Sequence, residues 1–221
     1  MKRTFKTVMT LLAVASIAFP SFSQINKFGI SINSLTTNFN YGESNSTLQS
    51  HKQSFKGFQA GFSYQAGVSS GFSIAPEVYF AIKGGVLKGG NPLTVNKSTF
   101  RLYSVEVPLL ARVHCKNLYL NAGPYGGYML GGRLKVQDSE ALPGSSTRIT
   151  FGNATSDFRR WDYGIQAGAG YNFNLKKSTL TLDIRYGYGL ANISRDIERY
   201  NRMLNISLVA SKRGKKSWKR G

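Results

Sequence analysis

Along residues 161 to 173, WDYGIQAGAGYNF, every odd position is apolar or aromatic and every even one is small or polar. The same period of two runs through 180 to 190, where Leu180, Leu182, Ile184, Tyr186, Tyr188 and Leu190 alternate with Thr181, Asp183, Arg185, Gly187 and Gly189. It recurs in 58 to 66 and, less cleanly, in 27 to 33, 72 to 83, 102 to 113, 118 to 130 and 202 to 210. A period of two sends successive side chains to opposite faces of a β-strand, so the pattern predicts eight strands, each with one greasy and one polar face. Their connections alternate in length. Those at 68 to 71, 114 to 117 and 174 to 178 are short, whereas 37 to 57, 84 to 99, 131 to 157 and 191 to 201 are long and rich in Ser, Thr, Asn, Gly and Lys. Tight turns at one end and long loops at the other are the layout of an all-β, up-and-down antiparallel barrel.

Such a barrel either hides its apolar face inside, as a soluble lipocalin-type barrel does, or turns it outward to lipid. The polar faces carry Glu77, Glu106, Arg112, Asp162, Asp183 and Arg185, while the apolar faces place Phe58, Phe72, Phe100, Trp161, Tyr171 and Phe173 near strand ends. Aromatic side chains at both rims match the interfacial girdles of an eight-stranded outer-membrane barrel. In hydrocarbon every backbone donor and acceptor needs a protein partner, so the sheet must close. So narrow a lumen is filled by side chains. Gly61, Gly67, Gly123, Gly127, Gly131, Gly164, Gly168, Gly170, Gly187 and Gly189 are therefore expected to face inward, making room for Tyr79, Tyr119, Tyr125 and the charges. Counted from the short-turn end, Glu77, Glu106, Asp183 and Arg185 fall at similar heights, which predicts a polar plug across the lumen. A gate or proton relay would use the same residues.

The first 23 residues join a basic front (Lys2, Arg3, Lys6) to a short apolar run and small residues at Ser21 and Ser23, the pattern of a cleaved secretory signal. No Cys follows that cut, so no lipid anchor is expected there. The barrel is then expected over 24 to 211, with a basic tail over 212 to 221. One cysteine, Cys115, precludes an internal disulfide, and its neighbour His114 points to the opposite face of a strand.

A formal charge of +19 raises nucleic-acid binding, but three of the positive charges sit in the signal and six in the tail. The rest are spread over connecting segments, so no nucleic-acid partner is expected. Many of them, including Lys56, Lys83, Arg101, Arg133, Arg159, Arg160 and Arg199, are expected at the long-loop end. There Lys56, Arg101, Arg133, Arg159, Arg160 and Arg199 are candidates to meet outer-membrane lipid and the phosphates of lipopolysaccharide. Only His51 and His114 exist, at opposite ends of this topology, so no metal, cofactor or catalytic cluster is expected. A sketch of a lipid-modifying enzyme could use His51 with Ser50 or Ser54, without a recognisable acid partner.

Finally, GFSIAPEVYF (71 to 80), VEVPLLARV (105 to 113), LYLNAGPYGGYMLGG (118 to 132), WDYGIQAGAGYNF and LDIRYGYGLANI (182 to 193) resemble the PorT-like outer-membrane β-barrel family of the Bacteroidota. The resemblance spans nearly the whole chain after the signal. It implies an eight-stranded barrel usually without known enzymatic activity, whose name-giving member belongs to a protein secretion apparatus. Envelope or secretion proteins are then candidate partners, and a narrow channel is the alternative. The chain departs from the family's common aromatic-ended last strand, because LNISLVASKR runs into the basic tail.

Overall fold

The computed structural model describes residues 26–138 and 143–213; the signal read at 1 to 23 and the chain after 213 lie outside the described residues. Eight long strands form the wall: β1 (Lys27–Asn40), β2 (Phe55–Gly67), β3 (Phe72–Leu87), β4 (Ser98–Cys115), β5 (Leu118–Val136), β6 (Trp161–Asn174), β7 (Ser178–Gly189) and β8 (Tyr200–Arg213). Each is antiparallel to its neighbours in the chain. β8 then pairs with β1, from Asn40↔Tyr200 to Lys27↔Arg213, and the sheet closes into a barrel without an edge. Short additions at the long-loop end are a helical segment over Gly42–His51, a strand Lys52–Gln53 on β3 and a strand Ser145–Arg148 on β5. At the opposite end the turn between β4 and β5 has only Lys116 and Asn117, with Lys116 at φ 55°, the positive φ that a two-residue hairpin needs.

The eight strands come where the alternation predicts them, but most reach further toward the long loops. β1 continues to Asn40 where the pattern stops at 33, and β4 begins at Ser98 where it starts at 102. The reason is a change of phase. On β1 the outward residues Phe28, Ile30 and Ile32 give way to Ser34, Thr36 and Asn38, while the inward Ser31 and Asn33 give way to Leu35 and Phe39. On β4 the outward Val113, Leu109 and Val107 give way to Arg101, and the inward Arg112 and Glu106 to Leu102 and Phe100. The lower wall is thus apolar outside and polar inside. Above it the wall is polar outside and apolar inside, as a barrel standing in water requires. Phe100, expected on the outer girdle, is accordingly buried in this upper core.

β5 departs from the parity rule. Tyr103 pairs with Gly131 but Ser104 with Met129, so Leu130 is an extra residue opposite β4. This bulge inverts the facing of everything beyond it. Gly131, expected in the lumen, stands outward beside Tyr103, and Leu134 turns inward to the upper core. The last strand also runs through Lys212 and Arg213, two residues assigned above to the tail.

Candidate functional site

Two ion clusters fill the lower lumen, not one plug at a single height. In the first, Glu77 of β3 accepts from Arg112 Nη2 at 2.6 Å and from Arg185 Nη1 and Nη2 at 2.5 and 3.0 Å. The Tyr79 hydroxyl donates to the same carboxylate at 3.0 Å. Arg185 Nε faces Asp183 Oδ1 at 2.5 Å as an ion pair too bent to count as a hydrogen bond, and Asp183 Oδ2 accepts from Tyr119 and from Asn121 Nδ2. Two carboxylates meet two guanidinium groups, all deeply buried, so the charges balance where water is scarce. The small residues expected beside the tyrosines are there: a Cβ on Gly170 would lie 2.3 Å from the Tyr119 ring, and one on Gly61 would lie 2.7 Å from that of Tyr79.

The second cluster lies nearer the long loops and is centred on Lys83. Its Nζ is 2.5 Å from Glu106 Oε1 and 2.6 Å from Asp162 Oδ2. Gln59 donates to Glu106 at 2.9 Å and Asn201 to Asp162 at 2.8 Å. Asn33 and Asn205 in turn donate to the Gln59 carbonyl at 2.7 and 2.9 Å, which carries the network around the wall from β1 through β2 to β8. Lys83, expected among the rim cations, is instead the centre of this cluster. Nothing in its surroundings in the chain marks it out except the inward parity it shares with Glu77 and Tyr79.

Above both clusters the lumen turns apolar. Phe39, Leu87, Phe100, Leu102 and Met129 form a continuous buried cluster, closed from outside by Leu48, Phe158 and Ile193 of the loops. Arg199, expected to face lipid, lies inside this cap and is 4% exposed. Its guanidinium sits 4.8 Å from the Phe100 ring centre and 5.3 Å from that of Phe158, and its Nη1 pairs with Asp196 at 2.5 Å. Burial alone would raise the Asp196 carboxyl, but hydrogen bonds from Arg199 and Ser194 hold it below its ordinary value. Burial likewise pushes the Tyr41 phenol up to about 12, against the opposing pull of Arg199.

The other five rim candidates, Lys56, Arg101, Arg133, Arg159 and Arg160, are exposed. Arg101 is the register neighbour of Arg133, and Arg133 that of Arg148. Three like charges in a row across adjacent strands repel one another, a cost that a bound anion relieves. Of the two histidines, His114 is bonded to Ser73 Oγ at 2.7 Å by the short turns, and His51 lies among the long loops. Among the described residues no hydrogen bond joins the His51 ring to Ser50, Ser54 or a carboxylate, and no group of His, Cys, Asp and Glu is arranged to hold a metal ion.

The profile of the outer membrane protein beta-barrel domain family matches residues 22–195. Among curated proteins no sequence match is found. Solved structures similar to this chain include Neisserial surface protein A, with 14% identity, a TM-score of 0.46, and 86% of this chain and 97% of that one covered. The attachment invasion locus protein Ail of Yersinia pestis is 15% identical with a TM-score of 0.42, covering 87% of this chain and 100% of that one. The outer membrane protein OprG from Pseudomonas aeruginosa is 9% identical with a TM-score of 0.41, covering 86% and 93%.

Proposed function

The chain belongs to the outer membrane protein beta-barrel domain family, and from that premise we propose that it is a sealed, non-catalytic barrel with a binding or structural role in the outer membrane. One observation carries the reading: the lumen is occupied along its length, by the Glu77 and Lys83 ion clusters below and by the apolar cap above. Among the described residues the Phe39, Phe100 and Leu102 layer interrupts the polar lining that hydrated ions would follow, and the Arg199 enclosed beside it is paired with Asp196. That disfavours the narrow channel. A proton relay would need a polar chain through the same layer. The unlinked His51 ring disfavours the lipid-modifying enzyme.

The role then falls to the outer wall and loops. The exposed row of Arg101, Arg133 and Arg148, together with Lys56, Arg159 and Arg160, supports a reading in which these cations meet outer-membrane lipid and lipopolysaccharide phosphates. On the strand motifs shared with PorT-like barrels, the loops are read as the contact to envelope proteins of secretion or surface assembly.

The test is reconstitution of the refolded barrel in planar bilayers. No ion-conducting steps are expected across the ordinary voltage range. Regular steps of uniform size would overturn the sealed reading. Crosslinking in native outer membranes is expected to trap partner proteins through the long loops, and recovery of lipid alone would remove the assembly role.

A further inference from the structure

On the outer wall where β5 meets β6, a groove of about 480 Å³ opens between the strands and the loops over residues 149–160 and 190–195. Its lower lip is the lipid-facing wall itself: Trp161 is 65% and Tyr163 57% exposed, and Tyr128 meets Trp161 edge-on at 5.1 Å. Its upper lip is basic. Arg160 lies between two rings, 4.7 Å from the centre of Phe151 and 5.7 Å from that of Tyr128, with Nη1 on the Met129 carbonyl at 3.0 Å. Arg195 is fixed by Gly152 O at 2.9 Å and Asn153 Oδ1 at 3.0 Å, which leaves its Nη1 free to donate. The Arg159 side chain has no hydrogen-bond or ion-pair partner among the described residues.

The nearby carboxylate, Asp157, offsets these groups only in part, Arg195 chief among them. Its oxygens are taken by Thr150 and by the Ala154 N–H, and those bonds hold it ionised below its ordinary range. Three guanidinium groups thus face one occupied carboxylate. Two of them are already ordered, so a ligand need not pay again to fix them.

We infer that this groove is a binding site for a phosphate-bearing membrane lipid. The phosphate takes the free N–H groups of Arg159, Arg160 and Arg195, and one acyl chain lies along Trp161 and Tyr163. Planar guanidinium forks match phosphate oxygens in pairs. The apolar half of the groove is continuous with the wall that contacts hydrocarbon, so the occupant is an amphiphile of the bilayer and not a soluble anion. The inference deepens the lipid-binding part of the reading above and names its site.

Trp161 supplies the test. The chain has two tryptophans, so the Trp218→Phe variant leaves Trp161 as sole emitter. It is refolded into phosphatidylcholine vesicles that carry a minor fraction of chain-brominated phosphatidate or, separately, of chain-brominated phosphatidylcholine. Brominated phosphatidate is expected to be enriched at Trp161 at least about fivefold over its brominated phosphatidylcholine counterpart, the ratio that one basic side chain near a membrane surface supplies. Arg159→Gln, Arg160→Gln and Arg195→Gln together are expected to bring the ratio to about one while the barrel keeps its heat-modifiable gel mobility. Equal quenching by both lipids, or an excess that survives the triple variant, overturns the site. Abolition of the excess by free inorganic phosphate would assign the groove to a soluble anion and overturn it too. Loss of quenching by both lipids would instead take Trp161 away from the bilayer and sink the outward orientation along with the site.

Discussion

The lower and upper halves of the barrel are built from the same strands with the same alternation, yet they solve opposite problems. In the lower half Ile30, Val107 and Ile184 face outward while Glu77, Lys83 and Arg185 are enclosed. In the upper half Asn38 and Arg101 face outward while Phe39, Phe100 and Leu102 are enclosed. Which face is greasy follows from the medium touching the wall, and the strand geometry is indifferent to it. The two fillings also differ in kind. Ion pairs cost desolvation and demand complete partnering, whereas the cap is held mainly by burial, at about 1.5 to 3 kcal/mol for a fully buried Leu or Phe, with the Arg199–Asp196 pair added at its margin.

The largest blow to this contrast is expected in the lower half. Glu77→Ala leaves Arg112 and Arg185 buried without their shared carboxylate, a loss of about 4 kcal/mol in urea unfolding from vesicles. A change below 1 kcal/mol would mean that water already solvates the cluster. Next comes a pair of matched substitutions on the outer wall. Ile184→Lys places an ammonium against hydrocarbon and is expected to cost about 3 kcal/mol, while Asn38→Lys, on the upper wall opposite Arg202, is expected to cost under about 1 kcal/mol. Equal costs at the two positions would erase the change of medium.

The smallest effect belongs to the cap. Because the folded Asp196 carboxyl titrates below its ordinary 3.8, its pairing with Arg199 stabilises fully above that pH and fades as the pH falls through the lowered value. Acid should therefore lower the protection against hydrogen exchange at Ile193, whose amide bonds Arg199 O at 2.9 Å, before it touches the lower strands. Asp196→Asn should do the same at neutral pH for under about 1 kcal/mol, as expected of a pair with one exposed partner. Unchanged protection in both would show that the mouth is closed by its apolar layer alone.

This contrast also marks what could be read from the chain. Strand number, order and the inward facing of Glu77, Glu106, Arg112, Asp162, Asp183 and Arg185 follow from period two, because a pleated strand leaves no other facing. The pattern stopped short where the greasy parity swaps. At Leu35 and Phe39 an apolar residue inside reads as a broken strand unless the outer medium is known to change. Arg199 is hidden from the sequence for a related reason: a loop has no parity, so nothing in SRDIER announces that its guanidinium folds back over Phe100 and Phe158. Lys83 shares parity with Glu77, but a lysine beside GG at a strand end looks like a loop cation. The groove at Trp161 joins wall residues to loop residues distant in the chain, Phe151 and Arg195, and no local pattern links those.

The extra residue at Leu130 makes the barrel unequally tolerant of changes in length. Deleting Leu130 would leave Gly131 opposite Tyr103 and Met129 opposite Ser104, with every facing beyond them kept, whereas one more residue forced into the ladder would swing the cations of Arg133 and Lys135 toward the oily crown and cast Leu134 into water. The strand can thus shed a residue at the bulge and can hardly take one up beside it.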